Sequence, residues 1–210
     1  MRNLFLLFIM ISGLAANAQY KGYKAVADIN AFKASFTAAS KKITSIKSDF
    51  VQEKTLSLLS EKIVSRGKFW FRKENLVRME YQHPFSYLMI INGNNVYIKD
   101  GQKENKVSTK SNKLFQKINR LTVDCVQGTV FSNPDFTVKA FENGQQYLVE
   151  MIPVGKGLSE FFSRILVTVD RKDFSVANIN MMEQGGDNTL IIFQQKEINV
   201  SIADAVFAHK

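Results

Sequence analysis

Leu76-Val77-Arg78-Met79-Glu80-Tyr81-Gln82 alternates apolar and polar side chains without a break. Successive side chains of an extended chain point to opposite faces, so Val77, Met79 and Tyr81 share a dry face while Arg78, Glu80 and Gln82 share a wet one. This predicts a half-buried antiparallel strand. Working outward, segments of similar character recur at 63–72, 85–92, 96–99, 136–141, 147–152, 164–170, 175–182 and 189–195. Turn signals separate them: Asn92-Gly93-Asn94, Asp100-Gly101, Asn133-Pro134-Asp135, Glu142-Asn143-Gly144 and Gly185-Gly186-Asp187. Strands so regularly spaced, with hardly any helix between them, argue against parallel βαβ units. The expected fold is mainly β with a few α-helices: a meandering antiparallel sheet that curls into a barrel or half-barrel.

Three helical patches interrupt or precede this pattern. From Val26 onward, Val26, Ile29, Phe32, Phe36, Ala39 and Ile43 fall three to four apart, the spacing of an amphipathic helix over 26–42. Leu114, Phe115, Ile118, Leu121 and Cys125 suggest a second helix over 112–126, and a short one is expected at 157–163. Helices inserted into a curled sheet plug or cover its mouth. The stretch 99–117 carries six lysines against Asp100 and Glu104 and reads as a solvated hairpin and helix edge, with a docking patch for an acidic partner or membrane as the alternative.

The first 18 residues read as a secretory signal: Arg2, then the apolar run Leu4 to Ile11, then the small residues of Ala16-Asn17-Ala18. The apolar stretch is shorter than the roughly 20 residues of a membrane span. Cleavage before Gln19 is expected, leaving a single domain over 19–210 and a periplasmic location. The 210 residues are 45% hydrophobic with a formal charge of +9, enough to bury one core and to attract anionic partners. One Cys forbids an intrachain disulfide, and one Cys with two His builds no ordinary zinc site.

Catalytic signatures are missing. There is no G-x-S-x-G elbow, His83 and His209 sit at a strand boundary and near the chain end, and Gly155-Lys156-Gly157 lacks the spacing of a phosphate-binding loop. Acidic residues stand singly, with no pair at glycosidase or dyad spacing. The chain is expected to be no enzyme and to hold no metal or cofactor. Export argues against nucleic acid as the partner of its basic surface.

Four pieces in order carry a family likeness: Ser48-Asp49-Phe50-Val51-Gln52-Glu53-Lys54; Ser65-Arg66-Gly67-Lys68-Phe69-Trp70-Phe71; Leu76 through His83-Pro84; and Asn92-Gly93 followed by Val96-Tyr97-Ile98. With Asn188-Thr189-Leu190-Ile191-Ile192-Phe193, Asn199 and Phe207 near the end, the chain resembles the periplasmic outer-membrane lipoprotein carrier family (LolA). The resemblance implies an incomplete, strongly curved antiparallel barrel whose open side is covered by a helical lid, enclosing an apolar cavity for acyl chains. It implies cavity-lining roles for Val77 and Met79, with Phe69, Phe71 and Tyr81 on the same face if the hairpin keeps register. The family's basic residue and proline that hold the lid correspond here to Lys73-Glu74, so Lys73 is the expected lid contact. Lysine supplies a flexible point charge in place of a planar fork.

The implied function is a monomeric periplasmic carrier that takes acylated lipoproteins from an inner-membrane exporter to an outer-membrane acceptor. Two alternatives stay open at this point: carriage of another amphiphile, such as a glycolipid or hydrophobic pigment, and a lipoprotein-sensing regulatory domain.

Overall fold

The structure is a computed structural model that describes residues 19–58, 61–73, 75–100, 103–108, 124–125, 129 and 133–208. Twelve strands build one antiparallel sheet: β1 (Lys24–Ala25), β2 (Ser45–Leu56), β3 (Glu61–Arg72), β4 (Leu76–His83), β5 (Tyr87–Asn92), β6 (Asn95–Asp100), β7 (Lys103–Ser108), β8 (Phe136–Glu142), β9 (Gln146–Pro153), β10 (Phe162–Asp170), β11 (Val176–Glu183) and β12 (Asn188–Ile198). Their order is β1-β8-β9-β10-β11-β12-β2-β3-β4-β5-β6-β7, so among the described residues β1 and β7 are the edges and the sheet does not close into a barrel. This is the fold class read from the sequence.

Each expected strand is present, with ends displaced by a few residues. The longest pair of strands includes one that alternation does not reveal: β2 places Ile46 and Phe50 inward, but also Ser48, Gln52 and Lys54, so its period-two signal fades. The first helix, α1 (Ile29–Lys42), is shorter than the expected 26–42. Asp28 ends it by accepting bonds from the Asn30 and Ala31 N–H groups at 3.0 and 2.9 Å, and Val26 instead donates to the Ala140 carbonyl in extended form. The helix expected at 157–163 is a single turn, α2 (Leu158–Phe161), because Phe162 already pairs with Glu183 in β10. The helix expected at 112–126 lies outside the described residues except for Asp124 and Cys125, which are helical. The signal segment 1–18 also lies outside them. Among the described residues, no helix is long and apolar enough to cross a membrane.

Both faces of the sheet are covered, by different means. On the concave side, α1 lays Phe32 and Phe36 over Val149, Met151, Ile165, Val167, Val169 and Ile179 of β9 to β11. On the convex side of β3 to β6, a terminal 3₁₀ turn (Asp204–Phe207) seats Ile202 and Phe207 against Trp70, Leu88, Ile90 and Tyr97. Arg72 and Arg78 hold that tail by donating to the Ile202 and Val206 carbonyls at 2.8 and 3.1 Å. The convex face is thereby occupied by the chain itself, and the concave face of β2 to β6 carries a second apolar cluster built on Phe50, Phe69, Phe71, Val77 and Met79.

Candidate functional site on the concave face

Register decides what lies on this face. Phe69 pairs with Met79, Phe71 with Val77 and Gly67 with Tyr81 across β3 and β4; Val77 pairs with Ile91 and Met79 with Met89 across β4 and β5. Paired residues in a ladder point to the same side, so all five sequence-chosen apolar residues share the concave face. Ile46 and Phe50 of β2 and Val96 of β6 complete the same cluster, with Ile191 and Phe193 of β12 packed against it.

The curvature is visible at one residue. Gly67 faces inward at a register shift between β3 and β4, and a Cβ there would stand 2.0 Å from the Glu80 carbonyl oxygen and 2.7 Å from the Phe50 ring. The missing side chain lets Phe50 lie across β3 and meet Tyr81 edge-on, centroids 4.9 Å apart. Phe193 meets Phe69 at 5.1 Å and also packs against the α1 cluster, joining the two halves of the concave surface.

The site is graded from dry to wet. Val77 is 1% exposed, and Phe69, Phe71 and Met79 are likewise buried, so four of the five chosen residues form a packed floor. Tyr81 is the exception: half-buried, it donates its hydroxyl to Gln52 Oε1 at 2.7 Å. Burial pushes its phenol well above the ordinary range, with the neighbouring Tyr87 adding to the shift, so it stays a neutral donor. Phe85 stacks on it at 6.0 Å and Tyr87 meets it edge-on at 5.6 Å. Phe85 is 47% exposed and Ile63 40% exposed, which makes them the mouth of the face. Sequence reasoning missed both: Phe85 lies in a turn after Pro84, where alternation gives no direction. It missed Phe193 because Leu190-Ile191-Ile192-Phe193 is apolar throughout and hides its period.

Lys73 lies at the opposite end, where β3 turns toward β4. Its Nζ donates to the Lys41 carbonyl in the last turn of α1, and its N–H donates to the Thr44 carbonyl at 2.9 Å. Asn199 ties the same junction, accepting from the Thr44 N–H at 2.7 Å and the Thr44 hydroxyl at 3.1 Å. The exit of α1 is thus held from two sides. Glu74 lies outside the described residues.

Polar groups away from this face serve the fold. Lys196 Nζ donates to Ser175 Oγ at 2.6 Å, and burial lowers its pKa against the pull of Asp173 and Asp170. Ser175 is sealed from solvent and the same ammonium donates to the Val176 carbonyl at 3.2 Å, so Lys196 caps the turn into β11. Cys125 is buried, and burial with Asp124 beside it pushes its thiol up to about 12, leaving it protonated and inert. Among the described residues, no cluster of three or more His, Cys, Asp or Glu is placed to hold a metal.

The family profile described as outer membrane lipoprotein carrier protein LolA matches residues 41–210. The chain belongs to the LolA family. That match takes in β2 through the terminal turn, including all six residues discussed above. No curated protein matches the sequence. Among solved structures, the LolA-family chain is similar to a conserved protein from Thermus thermophilus at 7% identity, covering 86% of this chain and 93% of that one with a TM-score of 0.52. It is similar to MucB at 12% identity, covering 86% of this chain and 62% of that one with a TM-score of 0.50. It is also similar to a LolA superfamily protein from Nitrosomonas europaea at 10% identity, covering 84% and 97% with a TM-score of 0.47. These likenesses concern the fold. LolA-family membership relates the chain to lipoprotein carriers, which are binding proteins.

Proposed function

We propose that this protein carries acyl chains of lipoproteins across the periplasm, sheltering them on the concave face of β2 to β6. The observation that supports this reading is the graded apolar surface itself, from exposed Phe85 and Ile63 through Tyr81 to the dry floor of Phe69, Phe71, Val77 and Met79. An acyl chain of ~16 carbons at ~0.8 kcal/mol per buried CH₂ disfavours water by roughly 13 kcal/mol, so a carrier must offer comparable burial. A curved apolar face does so without directional bonds, which suits chains of varied length.

Because the side chains of the floor pack against one another, loading has to part them. The two halves meet at Phe193, and α1 covers one of them through Phe32 and Phe36. Movement of α1 about its Lys73 and Asn199 anchors uncovers the adjoining β9 to β11 half and frees Phe193 to turn away from Phe69, which opens the floor; its return expels cargo. Lys73 is in this reading the lid contact. The exporter and acceptor meet the carrier at either end of the journey, and the carrier works as a monomer after removal of residues 1–18.

The test is a solubility assay. The purified chain, mixed with a detergent-depleted triacylated lipoprotein, is expected to keep it in the supernatant, and the same polypeptide without acyl groups is expected not to co-migrate. Equal association with both forms contradicts acyl-chain recognition.

A further inference from the structure

Six large apolar side chains stand out into solvent among the described residues: Leu58, Ile63, Val64, Phe85, Val154 and Phe161. All six lie at one end of the sheet. Leu58 is on the β2–β3 turn and 94% exposed, Ile63 and Val64 open β3, Phe85 is on the β4–β5 turn, and Val154 and Phe161 belong to the connection from β9 to β10. The β2–β3 hairpin projects beyond β4: Glu61 to Ser65 pair with β2, but β4 reaches only as far as Arg66. The other end of the sheet carries Lys41 and Lys42 of α1, Lys73, and the polar turns at Gly93-Asn94, Asn143-Gly144 and Arg171-Lys172.

We propose that this end docks on a lipid bilayer, with the apolar tips entering its interface. Three observations favour a bilayer over a protein partner. The tips sit on three separate connections at the same end of the sheet; a fluid interface receives protrusions from several loops at once, whereas a protein needs a matching pocket for each. The chain carries a formal charge of +9, which draws it toward anionic headgroups at long range, while around the tips the charges are mixed, Lys62 being paired with Glu53 and Lys156 standing near Glu160 in sequence. The rim is also continuous with the concave face, because Phe85 stacks on Tyr81. A hydrocarbon chain leaving the bilayer along Phe85 and Tyr81 therefore reaches the floor without crossing water.

The experiment is co-flotation of the processed chain with vesicles of phosphatidylethanolamine and phosphatidylglycerol, and in parallel with phosphatidylcholine alone. The vesicles contain no lipoprotein, so this result stands or falls separately from the carrier reading. The wild type is expected to float with the anionic vesicles and less with the neutral ones. Leu58→Asp combined with Phe161→Asp, both at exposed positions, is expected to lower the bound fraction about tenfold or more. Lys42→Ala combined with Lys172→Ala, the same change of charge at the opposite end, is expected to keep most of the binding. The proposal is overturned if the wild type binds neither vesicle, if the rim variant binds like the wild type, or if both variants lose binding equally.

Discussion

Gly67 does at one position what the alternating strands cannot do by themselves. Its absent Cβ admits Phe50 across β3, and the contact with the Glu80 carbonyl leaves no room for a methyl group. Gly67→Ala is expected to cost about 2 kcal/mol or more in urea unfolding and to loosen the Phe50–Tyr81 pair, since close-packed interiors resist added volume; an unchanged midpoint contradicts this account of the curvature. Val77 teaches the complementary lesson. From the sequence it looks like a cavity wall, and Val77→Glu like a clean way to spoil cargo binding, but at 1% exposure a carboxylate there also lacks any partner and threatens the fold. Tyr81, Phe85 and Ile63 are better probes of binding because water already reaches them. The face of Val77, Met79 and Tyr81 was legible in the sequence through period two; their depth was not, because depth depends on Phe50, Phe193 and Gly67 arriving from other strands.

Among elements, α1 is the part whose attachment is least apolar at its end. Lys73 holds its last turn through one ammonium-to-carbonyl bond, and Asn199 holds Thr44 just beyond the helix. Lys73→Leu is expected to speed cargo release several-fold in a reconstituted transfer assay while leaving loading little changed; equal effects on both steps argue against a latch. The sequence marked α1 through its apolar stripe and Lys73 only through family resemblance, since a turn lysine carries no signal of what it touches. The strand β2 was hidden for a different reason: its inward positions turn polar toward the rim, where Gln52 serves Tyr81 and Lys54 pairs with Glu183. The single helical turn α2 was overestimated because apolar residues at its end already belong to β10.

Across the whole molecule, two terminal segments strap the convex face, opposite the two clusters of the concave one. At the amino-terminal strap, Tyr20 donates to the fully buried Glu150, which also pairs with Arg164 at 3.1 Å and accepts from Gln19. Burial, and then the bond and charge of Glu150, push the Tyr20 phenol from 10.0 up to about 12. A raised folded-state pKa contributes stability that is present below the unfolded value near 10 and is lost as pH rises toward 12. The melting temperature is therefore expected to fall over that interval more steeply for the wild type than for Tyr20→Phe; parallel curves contradict the strap. The overall shape, an open antiparallel half-barrel, was readable because turn signals and alternation recur along the chain, whereas the division of labour between its two faces became visible only with the register in place. The central claim is that the concave face carries acylated polypeptides. The most direct measurement is native mass spectrometry of the protein isolated from its own host: an adduct with the mass of an acylated polypeptide, released together with its acyl groups, is expected, and a bound glycolipid or pigment in its place contradicts acyl-polypeptide carriage.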